Sequence, residues 1–138
     1  MNTINRYAAG AALVMGLGLY GCSEPPYTNI DNAQLQTLLQ QGAPLFDIRR
    51  PDEWRQTGMV EGSRPLTYVD GAGRVNPDIL PSIQAQVAKD APIVLICRTG
   101  NRSGTLARDL AEKGYTRIYN VEDGIVGWIG DRQPVVRY

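Results

Sequence analysis

Hydrophobic positions along the chain alternate between short continuous runs and helical stripes. Tyr27-Thr28-Asn29-Ile30 is a short β-prone start. Asp31 then stands where it can N-cap a helix with Leu35, Leu38 and Leu39 on one face, and Gly42 closes it. The run Pro44-Leu45-Phe46-Asp47-Ile48 predicts a buried strand. Pro51 suits the first turn of a second helix, with Asp52 and Glu53 at its positive end and Gly58 beyond it. Residues 62–73 read as loop, with an edge strand near Leu66. Asn76-Pro77 opens a helix bearing Ile79, Leu80, Ile83 and Val87, and Pro81 is expected to distort its beginning. Ile93-Val94-Leu95-Ile96 is the clearest strand, its four consecutive apolar residues predicting burial on both faces, as in the centre of a parallel sheet. A helix from about Ser103 to Lys113 follows, with Leu106, Ala107, Leu110 and Ala111 inward and Gly114 as its stop. Thr116 to Val121 is a further strand, Gly124 to Trp128 a last short helix, and Pro134 to Tyr138 a tail. Helices between short strands predict an α/β domain with a mostly parallel central sheet and helices on both faces. In such sheets ligands bind beyond the carboxyl ends of the strands.

The N-terminal stretch has a different pattern. Met1 to Arg6 are polar with one cation, and Tyr7 to Tyr20 are almost uniformly apolar. A run of about 14 residues is short for a membrane span, which needs about 20, and fits the core of a secretory signal peptide. It ends in Leu19-Tyr20-Gly21-Cys22, which resembles a bacterial lipobox, with Tyr20 standing where a small or aliphatic residue is usual. The resemblance implies acylation of Cys22. Plain secretion or an uncleaved N-terminal anchor are the alternatives. The expected organisation is a lipoprotein signal peptide over 1–21, a tether over 22–26, a domain over 27–130 and a C-terminal tail over 131–138. The mature chain is expected to be a monomer facing the periplasm, attached by Cys22 to the outer rather than the inner membrane, as Ser23 after the Cys resembles outer-membrane lipoproteins.

Charge and composition narrow the chemistry. Fourteen Lys and Arg balance 14 Asp and Glu, which argues against a nucleic-acid partner. The 138 residues contain no histidine, which removes His-based triads, His general bases and His-ligated metals. Two cysteines make neither a disulfide scaffold nor a four-thiolate zinc site, so no metal or cofactor is expected.

Cys97-Arg98-Thr99-Gly100-Asn101-Arg102-Ser103 carries the candidate chemistry. It lies between a strand end and a helix start, where amide N–H groups and the helix dipole favour anionic sulfur. Gly100 lets the backbone curl into an anion-holding nest. Arg98 and Arg102 add two permanent cations suited to an oxyanion. Ser103 can cap the helix or donate to the sulfur. The competing reading is a buried structural thiol. With Cys22 acylated, Cys97 would be the sole thiol, which disfavours a dithiol oxidoreductase. Trp54 and Trp128 read as packing anchors, Glu122 as a turn residue, and Arg49 as an ion-pair partner of Glu53.

From Tyr27 to Trp128 the sequence resembles a single-domain rhodanese, a sulfurtransferase. Three motifs carry the resemblance: Leu45-Phe46-Asp47-Ile48-Arg49 followed by Glu53-Trp54 and Gly58; Ile93 to Ile96 followed by Cys97-x-x-Gly100-x-Arg102-Ser103; and Val121-Glu122-Asp123-Gly124 with Trp128. Met59-Val60-Glu61-Gly62-Ser63 departs from the family's His-bearing segment, and Thr99 stands where the thiosulfate-preferring branch often has Lys. The resemblance implies a rhodanese-like fold and a double displacement. Cys97 takes the sulfane sulfur of a small anionic donor such as thiosulfate, and the persulfide passes it to a thiol or cyanide acceptor. It implies Cys97 as nucleophile, with Arg98, Thr99, Gly100, Asn101, Arg102 and Ser103 binding substrate. Two other readings stand beside it: a membrane-tethered binding or persulfide-carrier module, and a Cys-dependent phosphatase. Phosphatases place five residues between Cys and Arg-Ser, against four here, so their cradle is larger.

Overall fold

A computed structural model describes residues 21–138 of the chain. All but the last residue of the segment read as a signal peptide therefore lies outside the described residues. Strands β1 (Thr28–Ile30), β2 (Leu45–Asp47), β3 (Arg64–Pro65), β4 (Ile93–Ile96) and β5 (Ile118–Val121) form one sheet in the order β1-β5-β4-β2-β3. Every pairing in it is parallel. Helices α1 (Asn32–Gln40), α2 (Pro51–Thr57), α3 (Ile79–Gln84) and α4 (Asn101–Glu112) lie in the connections between successive strands, and α5 (Gly124–Gly130) follows β5. This is the α/β layering with a parallel central sheet that the hydrophobic pattern predicts.

The apolar run of β4 does what its composition requires. Ile93 and Leu95 pack on one face with Phe46, Ile48, the α3 residues Ile79 and Ile83, and Leu106, Ala107 and Leu110 of α4. Val94 and Ile96 pack on the other with Leu45, Val121, Leu35 of α1, and Ile125 and Trp128 of α5. A middle strand with helices on both sides has no wet face, so it cannot alternate polar and apolar residues.

Local signals explain the helix starts. The Asp31 carboxylate accepts the Gln34 N–H at 2.8 Å, and the Gln34 side chain returns the bond to the Asp31 N–H at 2.9 Å. Pro51 occupies the first turn of α2, and the Arg50 N–H donates to Glu53 Oε2 at 3.0 Å. Pro81 does not distort α3. It is the third residue of the helix, where an N–H has no intrahelical acceptor, and the first i→i−4 bond runs from Ser82 N–H to Asp78 O. The helix ends at Gln84, so Val87 is buried from beyond it.

Two arrangements differ from expectation. Arg49 pairs with Asp47 rather than Glu53. Both residues are buried, with Nη2 2.7 Å from Oδ2, and Arg49 also donates to Thr57 Oγ1 and the Gly58 carbonyl. The tail is also no loose end. Met59 and Val136 exchange both backbone hydrogen bonds at 2.8–2.9 Å, the Trp128 indole donates to the Pro134 carbonyl at 2.8 Å, and Tyr138 lies against Trp54 with centroids 4.8 Å apart.

Candidate active site

Cys97 follows the last residue of the central strand, at the carboxyl edge of the sheet. The chain turns through Gly100, at φ +90°, and enters α4 at Asn101, two residues before the expected start. No L side chain fits this turn, because a Cβ on Gly100 would lie 2.0 Å from the Glu122 carbonyl oxygen. Gly100 is thus the N-cap and offers no side-chain acceptor. The sulfur of Cys97 fills that role. It accepts the Gly100 N–H at 3.2 Å and, from the third helical residue, the Ser103 N–H at 3.5 Å. Ser103 does not cap; its Oγ lies 3.2 Å from the sulfur.

The loop's carbonyls are tied down elsewhere. Cys97 O accepts from Ile125 N–H and Arg98 O from Val126 N–H, so the start of α5 holds both. Gly100 O accepts from Gly104 N–H and from Asn120 Nδ2 at 3.2 Å. Gly124 permits this closeness, since its Cβ would lie 2.4 Å from Arg98 O and 2.6 Å from Cys97 O. The result is a loop in which the Cys97, Arg98 and Gly100 carbonyls are bonded elsewhere while the Gly100 and Ser103 N–H groups donate to the sulfur. That polarity suits a negative charge at the sulfur.

Ser103 can follow the charge. Its hydroxyl has one proton and lies 3.2 Å from both Cys97 Sγ and Gly100 O. With a thiol, the S–H can donate to Oγ while the hydroxyl donates to Gly100 O. With a thiolate, the hydroxyl turns to the sulfur.

Of the predicted site residues, Gly100 and Ser103 are buried around the sulfur, while Arg98, Thr99, Asn101 and Arg102 line an open cavity of about 460 Å³ on the outer side of the loop, with Arg50 and Glu53. Cys97 itself is 1% exposed and does not line that cavity. Such burial is what the structural-thiol reading expects. Cys97 also belongs to the apolar cluster around Phe46, Leu95 and Leu106, but three donors converge on its sulfur, which a purely apolar setting does not supply.

The two arginines have different surroundings. Arg102 makes two bonds to Glu53, Nη1 to Oε2 at 2.8 Å and Nη2 to Oε1 at 2.7 Å. Burial pushes the Glu53 carboxyl up, but the Arg102 and Arg50 hydrogen bonds outweigh it and bring the group down to about 2. The Glu53 bond in turn pushes Arg102 up. Arg98 is exposed and, among the described residues, has no carboxylate in ion-pair contact. Sequence reasoning did not find Glu53 or Arg50 as neighbours of the loop. The acidic first turn of α2 was visible, but nothing in it pointed to a partner on α4.

The family model for the rhodanese-like domain matches residues 31–131. The chain belongs to the rhodanese-like family. Among curated relatives, a thiosulfate sulfurtransferase GlpE from Tolumonas auensis is 31% identical over 103 residues, covering 74% of this chain and 88% of the relative. A sulfurtransferase from Allochromatium vinosum is 32% identical over 92 residues, covering 67% and 77%. Among solved structures, Rv0390 from M. tuberculosis superposes with a TM-score of 0.70 at 26% identity, covering 81% of this chain and 99% of that one. The rhodanese-like match ends at Arg132's neighbour Asp131, so the strap from Arg132 to Tyr138 lies beyond it.

Proposed function

We propose that this rhodanese-like domain is a sulfurtransferase that carries sulfane sulfur as a Cys97 persulfide. The observation that supports the reading best is the convergence of the Gly100 N–H, the Ser103 N–H and the Ser103 hydroxyl on Cys97 Sγ. In the first half-reaction the Cys97 thiolate attacks the outer sulfur of an anionic donor such as thiosulfate, and sulfite leaves with the electron pair of the broken S–S bond. Arg98, exposed and unpaired with carboxylate, orients the donor, while the loop amides hold the terminal sulfur. In the second, a thiophilic acceptor takes the outer sulfur and Cys97 returns as thiolate. The chain has no histidine, so the Gly100 and Ser103 N–H groups and the Ser103 hydroxyl are the groups that stabilise negative charge on the sulfur. Cys97 is 1% exposed, so the donor reaches the sulfur past Arg98, Thr99 and Asn101, the exposed residues of the loop.

We further propose that the protein is lipid-anchored at Cys22 and faces the periplasm. Cys22 is exposed and lies ahead of β1, so an acyl group there would leave the domain free.

Intact mass tests the persulfide. Purified protein treated with thiosulfate is expected to gain one sulfur atom, lose it to cyanide, and gain none as Cys97→Ser. No adduct with any sulfane donor would overturn the reading. Labelled palmitate should enter the wild-type chain in bacteria and not Cys22→Ala; equal labelling would overturn the anchor.

A further inference from the structure

Beside the catalytic loop a second hollow of about 330 Å³ runs between α2 and α5, within the range of roughly 300–1,000 Å³ that takes organic ligands. It shares Arg50, Glu53 and Arg98 with the cavity on the outer side of the loop, so the two are neighbours along one trough. Its walls differ in character. On the α5 side stand Val126 and Ile129, one helical turn apart and 52% and 41% exposed, among the few large apolar side chains open to solvent. On the α2 side are Gln56 and Thr57 and the carboxylates Asp52 and Glu53, which are engaged by Arg50 and Arg102. At the end next to the loop is Arg98, the one arginine lining this hollow with no carboxylate in ion-pair contact among the described residues.

A small inorganic anion has no use for the apolar wall, and cyanide has no use for either wall. We propose that this groove is the acceptor subsite and takes an organic thiol with an apolar body and an anionic group, the body against Val126 and Ile129 and the anion on Arg98. The proposal rests on the persulfide reading above and specifies its second half-reaction. The acceptor enters as thiolate, its proton having gone to solvent. A lone pair on its sulfur forms a bond to the outer sulfur of the Cys97 persulfide. The bond between that atom and Sγ breaks, its electron pair stays on Sγ, and the acceptor leaves as an organic persulfide. Arg98 serves both half-reactions in turn, because the anionic product of the first has left before the acceptor binds. The start of α5 is bonded to the loop through Ile125 N–H and Val126 N–H, so the apolar wall is held in fixed relation to Cys97.

The test uses the purified chain loaded with sulfane sulfur and follows loss of the persulfide by mass. Three acceptors are compared: cyanide, mercaptoacetate, and an aryl-bearing mercaptocarboxylate. Wild type is expected to prefer the aryl acid over mercaptoacetate by about tenfold or more in kcat/KM. In V126S/I129S the ratio of the aryl-acid rate to the cyanide rate should fall at least about fivefold, cyanide serving as the check that each preparation is competent. In Arg98→Gln the aryl acid should lose its advantage over the matching uncharged aryl thiol. Equal use of both acids by wild type, or a ratio in V126S/I129S that does not move while cyanide still draws the sulfur, would overturn the groove and leave the persulfide reading standing. Failure of cyanide to draw any sulfur from wild type would overturn both.

Discussion

Glu53 and Arg102, 49 residues apart in sequence, meet as a two-pronged ion pair that ties the first turn of α2 to the first turn of α4. The pair is largely shielded from solvent, and Glu53 also accepts the Arg50 N–H. Glu53→Gln is expected to destabilise the fold by about 1.5–3 kcal/mol, the usual range for hydrogen bonds to charged groups. The sign with pH follows from the depressed carboxyl. Its contribution is fully present above the ordinary value of 4.5 and is lost as pH falls through about 2. Urea unfolding at pH 7, 4.5, 3 and 2 should show the gap between wild type and Glu53→Gln closing over that window. A gap that stays constant to pH 2 would contradict the assignment.

The two loop arginines should behave differently. Arg98 is exposed and has no carboxylate in ion-pair contact among the described residues, so Arg98→Ala should keep stability within about 0.5 kcal/mol while lowering kcat/KM for thiosulfate about 10- to 100-fold. Arg102→Ala removes Glu53's partner and should cost stability as well as rate. Thermal unfolding and a cyanide-coupled assay on both variants separate the roles; equal stability losses would mean that Arg98 also holds the structure.

Gly124 sits at φ +57° with two carbonyl oxygens where a Cβ would go. Gly124→Ala should push α5 off the loop, costing about 2–4 kcal/mol and abolishing persulfide formation. Gly42, also at positive φ but with open space around it, is the control. Gly42→Ala should cost less and leave sulfur transfer intact.

Arg49 is buried against Asp47 and holds the end of α2 through Thr57 and the Gly58 carbonyl. Arg49→Ala leaves a buried carboxylate alone and should cost about 3–5 kcal/mol. Denaturant titration checks it, and a loss below 1 kcal/mol would show that water reaches Asp47.

The strands and the loop were legible because their signals are local. Ile93 to Ile96 announces a buried strand by composition, and Cys97, Gly100 and Ser103 fall in order after it. The start of α4 was read two residues late because Ser103 looks like a cap, whereas its N–H is the group being capped, by a sulfur from the preceding strand end. Arg49 and Glu53 sit four apart on opposite sides of a helix start, a spacing that invites pairing. Arg49 instead turns to Asp47, only two residues back but buried beside it, and Glu53 is taken by Arg102, 49 residues away. The strap at Val136 and Tyr138 was invisible because short tails with two valines and a tyrosine carry no period, and their partners Met59 and Trp54 are far away in sequence.

The first strand of the sheet is stitched to the last, with Thr28, Asn29 and Ile30 in register with Tyr119, Asn120 and Val121. A ribosome delivers these partners at opposite ends of synthesis. Closing so long a loop is slow, and the nascent chain has nothing to lay along one side of Ile93–Ile96 until Ile118 emerges. A product cut short before that residue would bare the edge of the most oily strand in the molecule. Premature termination is therefore expected to yield clumped protein rather than a smaller soluble fragment.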